Sequence, residues 1–386
     1  MKMLDDPRVV LVHDWLTGMR GGEKCLELAC GQWPAAPLFT LLHRAGSVSA
    51  AIENRAIQTS FLERLPFAHR YYRYLLPLMP LAIRTFRLPR CELVLSFSHC
   101  VAKGIQPPAG AVHVCYCFTP MRYAWHMRSA YFANNKKSTL RSLATDLLLE
   151  RLRHWDRSSA GRVDHFIAIS RTVQRRISEC YHRNSSVIYP PVDTDFYFPA
   201  PVQREDYYLM VSAFAPYKRL DLAIEACNRL KKKLVIIGTG QSEALLRARA
   251  GATVHFLGWQ TNEVVRDHMR RCRALLFPGE EDFGIVPVEA QACGTPVIAY
   301  GKGGATETII PLESHQPPTG SFFTEASADS LADAMVQFES QRGAFSPTAA
   351  RRQALRFQSG RYCDELFGFL RQVLQAPATA PQRRAA

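Results

Sequence analysis

A two-domain α/β fold, each domain a parallel sheet covered by helices on both faces, is what this sequence predicts. Three observations carry that expectation. Short apolar runs alternate with helical stretches of about ten residues, the pattern of a covered parallel sheet. The alternation occurs twice, on either side of Pro190-Pro191. The length of 386 residues, with 47% apolar and 21% charged, suits two soluble domains and excludes a disordered or collagen-like chain.

The first half opens on a strand at Val9-Val10-Leu11-Val12, followed by Gly21-Gly22 and a helix from Glu23 to Cys30. Acids precede this apolar run and polar residues follow it, so it reads as the first strand of a fold and not as a leader. Further strands are expected at Leu93-Val94-Leu95-Ser96, at Val112 to Tyr116 and at His165 to Ile169. A long, very basic helix is expected from about Thr139 to Ser159. In the second half, strands are expected at Tyr207 to Ser212, Lys233 to Ile237, Val254 to Leu257, Ala274 to Phe277 and Pro296 to Ala299. Helices fill the intervals at Leu220–Leu230, Glu243–Ala250, Thr261–Cys272 and Val286–Ala292. The domains are expected over residues 1–195 and 196–360. A C-terminal helix over 361–375 is expected to pack back on the first domain, ahead of a disordered tail over 376–386.

Lysine and arginine outnumber acids by 48 to 34, a net charge of +14, which favours an anionic partner. Eleven scattered cysteines without a CxxC pair read as buried thiols in a reducing cytoplasm. No apolar run is long enough to span a bilayer. Between Phe61 and Arg90, however, apolar and aromatic residues are interleaved with Arg64, Arg70, Arg73, Arg84, Arg87 and Arg90, with Glu63 the one acid. Such a stretch suits an anionic membrane surface, and it also fits a packed helical pair with a solvated basic edge.

The densest chemical signal is Glu281-Asp282-Phe283-Gly284-Ile285-Val286-Pro287-Val288-Glu289, after a strand and opening a helix. Amides at a helix start form an anion site, and both glutamates are placed to meet hydroxyls or to cap the helix. Lys218-Arg219 follows a strand, where a pyrophosphate or solvent would suit them. Gly238-Thr239-Gly240 is half of a dinucleotide fingerprint, with Glu243 where a third glycine belongs. Gly301-Lys302-Gly303-Gly304 is a glycine-rich turn after a strand. Asp193-Thr194-Asp195 has the form of a metal-holding DxD, but its place after Pro190-Pro191 favours an Asx turn. No cluster has zinc spacing.

Taken together, Glu281-x7-Glu289 with Phe283-Gly284 inside it, and Ala290 to Ala299 after it, resembles the donor signature of family-4 retaining glycosyltransferases of GT-B fold. Tyr217-Lys218-Arg219 is similar to their phosphate loop and Tyr189-Pro190-Pro191-Val192-Asp193 to their interdomain segment. In the first half, Gly21-Gly22-Glu23-Lys24, Ser98-His99-x3-Lys103-Gly104 and Thr119 to Trp125 are similar to a branch holding mannosyltransferases of O-antigen and exopolysaccharide assembly. The likeness runs from about residue 9 to 370. Two positions depart from it: Ala213 stands where many relatives carry arginine, and Phe118 where they often carry histidine.

The resemblance implies two Rossmann-like domains facing across a cleft. It also implies transfer of a hexose, mannose from GDP-mannose, to a lipid-linked saccharide with retention of configuration. Glu281, His99 and Lys218 would be catalytic. Gly21, Gly22, Arg219, Gly238, Gly240, Phe283, Gly284, Ile285, Val286 and Glu289 would bind the donor, and Lys103 and Arg122 would face the acceptor. Lys218, Arg219 and the amides of 284–286 would hold the diphosphate without metal or cofactor. The expected partners are a nucleotide-sugar, a lipid-linked acceptor and an anionic membrane at the inner face of a bacterial cytoplasmic membrane, with no nucleic acid. A nucleotide-cofactor oxidoreductase built on Gly238 and Gly240, and a basic nucleic-acid-binding protein, remain as rivals.

Overall fold

The computed structural model describes residues 8–125 and 139–376. The expected tail lies outside the described residues, save Ala376. The chain divides into two compact units, one of residues 1–190 with 363–386, the other of residues 191–362.

The first unit holds a sheet of seven strands, β1 (Val9–His13), β2 (Leu38–Thr40), β3 (Ile57–Thr59), β4 (Leu93–Ser98), β5 (Val112–Cys117), β6 (His165–Ala168) and β7 (Ser185–Val187). Their order is β3-β2-β1-β4-β5-β6-β7, and every pairing is parallel. β1, β4 and β5 are almost wholly buried, as a strand covered on both faces must be. Helices α1 (Gly21–Gln32), α2 (Thr139–Ser159) and α3 (Arg171–Tyr181) belong to this unit. β2, β3 and β7 are absent from the sequence reading because three residues carry too little periodicity to register.

Residues 61–90 fold as short helical turns, interrupted at Pro66 and carrying Pro77 inside the turn over 72–78. Leu62, Ala68, Tyr72, Met79, Ala82, Ile83 and Phe86 pack into the core with Val10, Phe39 and Val94. The outer side carries the six arginines, all exposed, with Phe67 74% and Tyr74 82% exposed. The single acid of the stretch, Glu63, is engaged by His69 at 2.8 Å and by the His43 N–H at 3.0 Å.

The second unit has six parallel strands, β8 (Tyr208–Val211), β9 (Leu234–Ile237), β10 (Val254–Gly258), β11 (Ala274–Phe277), β12 (Val297–Tyr300) and β13 (Gly320–Phe323), in the order β10-β9-β8-β11-β12-β13. Its helices are α4 (Leu220–Leu230), α5 (Glu243–Arg249), α6 (Asn262–Arg271), α7 (Ile285–Ala292), α8 (Ala328–Ser340) and α9 (Pro347–Leu355). Leu331, Met335 and Phe338 of α8 close the core over Tyr208, Ile236 and Leu276. The final helix, α10 (Ser359–Gln375), belongs to the first unit from Cys363 on. There Phe367 packs edge-on against Trp33 at 5.3 Å. The cysteines are unbridged, and all but Cys363 are buried.

In both sheets the strand order reverses once, between β1 and β4 and between β8 and β11. Chains leaving adjacent strands there turn to opposite faces of the sheet and open a crevice at the carboxyl ends.

One buried histidine makes stability depend on pH. His113 on β5 pairs Nε2 with Ser96 Oγ at 2.9 Å and donates from Nδ1 to the Arg162 carbonyl at 3.0 Å. Burial pushes its pKa down from 6.5 to about 4, against the opposing pull of that hydrogen bond. The unfolded chain therefore binds this proton first. The stabilisation is complete above the unfolded value and is lost as pH falls from 6.5 toward 4, by about 3 kcal/mol at about 1.4 kcal/mol per unit. Urea titrations at pH 7 and pH 4.5 are expected to show that loss, and His113→Gln is expected to flatten it. Equal midpoints for the parent chain would refute it.

Candidate functional site

The switch point of the second unit gathers the donor signature. The loop after β8 carries Lys218 and Arg219; the loop after β11 carries Glu281 and leads into α7. Lys218 Nζ hydrogen-bonds Glu281 Oε1, and both side chains are about one-sixth exposed. Arg219 takes a left-handed backbone at φ 53° and turns its guanidinium onto Asp221, with Nε–Oδ1 and Nη2–Oδ2 both 3.1 Å. Both cations thus rest on carboxylates.

Glycine decides how closely these loops nest. Gly238, at the end of β9, has φ 134°, and a Cβ there would stand 1.9 Å from the Ser212 carbonyl oxygen. Gly240 brings its backbone against that of Phe214 in the same way. The pair therefore packs the β9 loop on the β8 loop, and the tight-turn reading accounts for the partial fingerprint. The turn at Gly303-Gly304 supports the carboxylate loop: the Gly304 N–H donates to the Glu281 carbonyl at 2.8 Å.

Gly284 opens α7 with φ 85°, and Ile285 and Val286 supply its first, half-buried turn. Two donor expectations need correction. Phe283 is buried with its ring on Phe357 at 5.5 Å, so the ring is a core group and not a ligand contact. The motif sets Glu289 at the helix start, placed to meet hydroxyls or to cap the helix. It lies in the second turn of α7 and is 5% exposed, because the helix turns that side inward. Asp193 closes a turn, its Oδ1 accepting the Phe196 N–H at 2.9 Å, as the Asx reading expects.

In the first unit, Gly21 and Gly22 form the first turn of α1, ahead of a capping contact in which Glu23 accepts the Arg20 N–H at 3.1 Å. Arg122 begins the one-turn helix Arg122–Trp125 after β5 and is half-buried. His99 follows β4 and is 31% exposed on its side chain. The acceptor-side expectation for Lys103 is corrected: it is 1% exposed and paired with Asp156 of α2. Asp156 also accepts from Trp125 Nε1 and Tyr181 Oη, both at 2.8 Å. Burial lowers the Lys103 pKa, but Asp156 outweighs it and holds the ammonium charged. Lys103 is a structural cation, unable to reach an acceptor.

Sequence reasoning passed over Asp14 and His13, beside His99 at the other switch point. The available signal was position: both sit where the first strand ends. Among the described residues no cluster of His, Cys, Asp or Glu is placed to hold a metal ion, and no helix is long and apolar enough to cross a membrane.

Residues 193–355 match the profile of the family described as glycosyl transferases group 1. The chain is 29% identical over 165 residues to an uncharacterized glycosyltransferase of Methanocaldococcus jannaschii, covering 41% of this chain and 46% of that protein. It is 30% identical over 219 residues to the D-inositol 3-phosphate glycosyltransferase of Mycobacteroides abscessus, covering 51% and 48%. These matches span about half the length of the curated relatives. Among solved structures, Anabaena HepE in complex with UDP and glucose superposes with a TM-score of 0.68 at 17% identity, covering 95% of this chain and 99% of that one. Sucrose-phosphate synthase of Thermosynechococcus elongatus gives 0.72 at 15% identity, covering 96% and 100%. At such identities the likeness is one of fold. The chain thus has the two parallel-sheet units of the GT-B fold, and its residues 193–355 match the profile of the glycosyl transferases group 1 family.

Proposed function

We propose that the protein is a retaining glycosyltransferase that moves a hexose, mannose from GDP-mannose, to a lipid-linked saccharide in cell-surface polysaccharide synthesis. The observation that carries the reading is the Lys218–Glu281 pair at the switch point of the group 1 domain. Departure of a nucleoside diphosphate leaves negative charge at the leaving oxygen and positive character at the sugar. An ammonium and the first amides of α7 offset the former, with no metal required, and a carboxylate orients hydroxyls around the latter. An incoming diphosphate would draw Lys218 from Glu281 and leave that carboxylate for the sugar. The choice of GDP-mannose rests on the motif likeness to mannosyltransferases.

A panel of GDP- and UDP-sugars, assayed with EDTA for hydrolysis and for thermal stabilisation, tests this reading. GDP-mannose at a hundred times its Kd is expected to stabilise the fold by about 2.7 kcal/mol. Stabilisation by UDP-sugars alone would overturn the nucleotide, a rate restored only by manganese or magnesium would overturn the metal-free mechanism, and no response to any donor would overturn the activity.

The lipid-linked acceptor is supported by residues 61–90, whose exposed arginines alternate along the chain with exposed Phe67, Tyr74 and Leu81. Each basic residue near an anionic leaflet gains about 1 kcal/mol, screened over about 8 Å at physiological salt. Changing Arg70, Arg73, Arg84 and Arg87 to Gln is expected to abolish sedimentation with anionic liposomes at low salt while sparing donor hydrolysis. Unchanged liposome binding would show that these arginines form a merely solvated face.

A further inference from the structure

A cavity of about 320 Å³ opens in the second unit between α9 and the loop ahead of β13. Its size is at the small end of the range for ligand pockets. Ile310 and Pro317 line it from the loop, and Ala349, Arg352, Gln353 and Arg356 line it from the helix and its C-cap. None of these residues belongs to the loops after β8, β9 and β11 that carry the donor signature. The cavity is a separate site.

Spacing along α9 builds one wall. Positions 349, 352, 353 and 356 fall at i, i+3, i+4 and i+7, which is a single helix face. Ala349 is 6% exposed, and its lone methyl leaves room beside the arginines. Gln353 is buried; its Nε2 donates to the Thr308 carbonyl at 3.1 Å, and its Oε1 accepts from Arg356 Nη1 at 3.1 Å. A buried amide thus holds one guanidinium in place. The neighbouring Arg351 gives its guanidinium to the carbonyls of Thr194 and Tyr197, at 2.8 Å and 2.7 Å. Arg352 and Arg356 line the cavity instead, and among the described residues neither meets a carboxylate. The loop wall is fixed as well. At its neck the Ile310 N–H donates to Thr319 Oγ1 at 2.9 Å, and the Thr319 N–H donates to the Ile310 carbonyl at 2.8 Å. Ser314 Oγ accepts the Gln316 N–H at 3.1 Å, and Pro317-Pro318 stiffens the run toward β13.

Two full positive charges without a counter-ion, beside apolar side chains, select the ligand. No acid lines the cavity. A carboxylate or a phosphodiester would neutralise one charge. A phosphate monoester carries nearly two at neutral pH and offers three acceptor oxygens, enough for two guanidinium forks. The carbonyl end of α9 opposes an anion there, but a partial charge yields to two full ones. We propose that this cavity binds a phosphate monoester, its phosphate held by Arg352 and Arg356 and its body laid against Ile310, Pro317 and Ala349. Gln353 is the positioning residue that sets Arg356 in advance of the ligand. This second anion site is distinct from the loop of Lys218, and it does not rest on the proposed glycosyltransferase activity.

The test is calorimetry of the full chain at pH 7 and low salt, with phenyl phosphate as the probe. Phenyl phosphate is expected to bind about threefold tighter than inorganic phosphate, which lacks the apolar body. It is expected to bind about tenfold tighter than benzoate, which lacks the second charge. Arg352→Gln and Arg356→Gln are each expected to weaken it about tenfold, as the loss of a charge-assisted pair does. Both side chains are exposed, so the melting temperature is expected to stay unchanged. Lys218→Ala is expected to leave the affinity as it is, which tells this cavity from the donor crevice. Absence of phenyl phosphate binding, binding that survives both arginine changes, or binding lost with Lys218→Ala would overturn the proposal. So would benzoate or inorganic phosphate binding as tightly as phenyl phosphate. None of these readouts uses a nucleotide-sugar, so the proposed activity and this site fail separately.

Discussion

Glu281→Gln is expected to lower donor turnover by about 10²–10³-fold while leaving the fold intact. The magnitude is that of removing one aligned electrostatic group from a preorganised site. Glutamine keeps the shape and one acceptor oxygen but removes the charge that holds Lys218 and that, on the proposed reading, orients the sugar. The pair is partly exposed, so the ammonium left behind stays hydrated and the fold loses no more than about 1 kcal/mol. Lys218→Ala is expected to cost a similar factor in kcat, because the proposed mechanism assigns this cation to the leaving diphosphate. Rates and melting curves for both variants check this. A fully active Glu281→Gln chain would remove the carboxylate from the mechanism.

Asp156→Ala is expected to destabilise the chain by about 3–5 kcal/mol, the cost of leaving a buried charge without its partner. Lys103 would lose its counter-ion among Trp155 and Tyr181, whose rings lie 5.3 Å and 5.1 Å from its Nζ. The Trp125 and Tyr181 donors would lose their acceptor as well. The double change Lys103→Met with Asp156→Leu is expected to recover most of the loss, since apolar groups of similar volume replace a buried pair at little cost. Urea unfolding of the three chains measures it. A single variant within 1 kcal/mol of the parent would show that water reaches Lys103.

The donor loop illustrates what can be read directly. Glu281, Gly284 and the start of α7 stand where the motif set them, because a strand, a loop and a helix start are local features written in consecutive residues. Glu289 and Phe283 belong to the same motif, yet their side chains turn inward. Nothing within nine consecutive residues tells that Phe283 will meet Phe357, 74 positions on, or that Glu289 will turn inward. Lys103 shows the same failure at longer range: its partner lies 53 positions away on α2. Asp14 went unread because a single carboxylate after a strand has no meaning until the turn at 99–102 folds over it.

The sequence by itself determined the longer buried strands and most of the helices between them, since periodic burial and chain breaks at glycine and proline are properties of neighbouring residues. It also determined the kinds of groups that each strand end presents. The tertiary structure alone decided which strand ends are neighbours. Parallel strands pair only through long crossovers, so the order that sets β1 beside β4 and β8 beside β11 is chosen by packing over the whole sheet. That order brings Glu281 to Lys218 across 63 positions and His99 to Asp14 across 85. It also buries Lys103, because a cation far from water is tolerated only where a distant carboxylate has been folded against it.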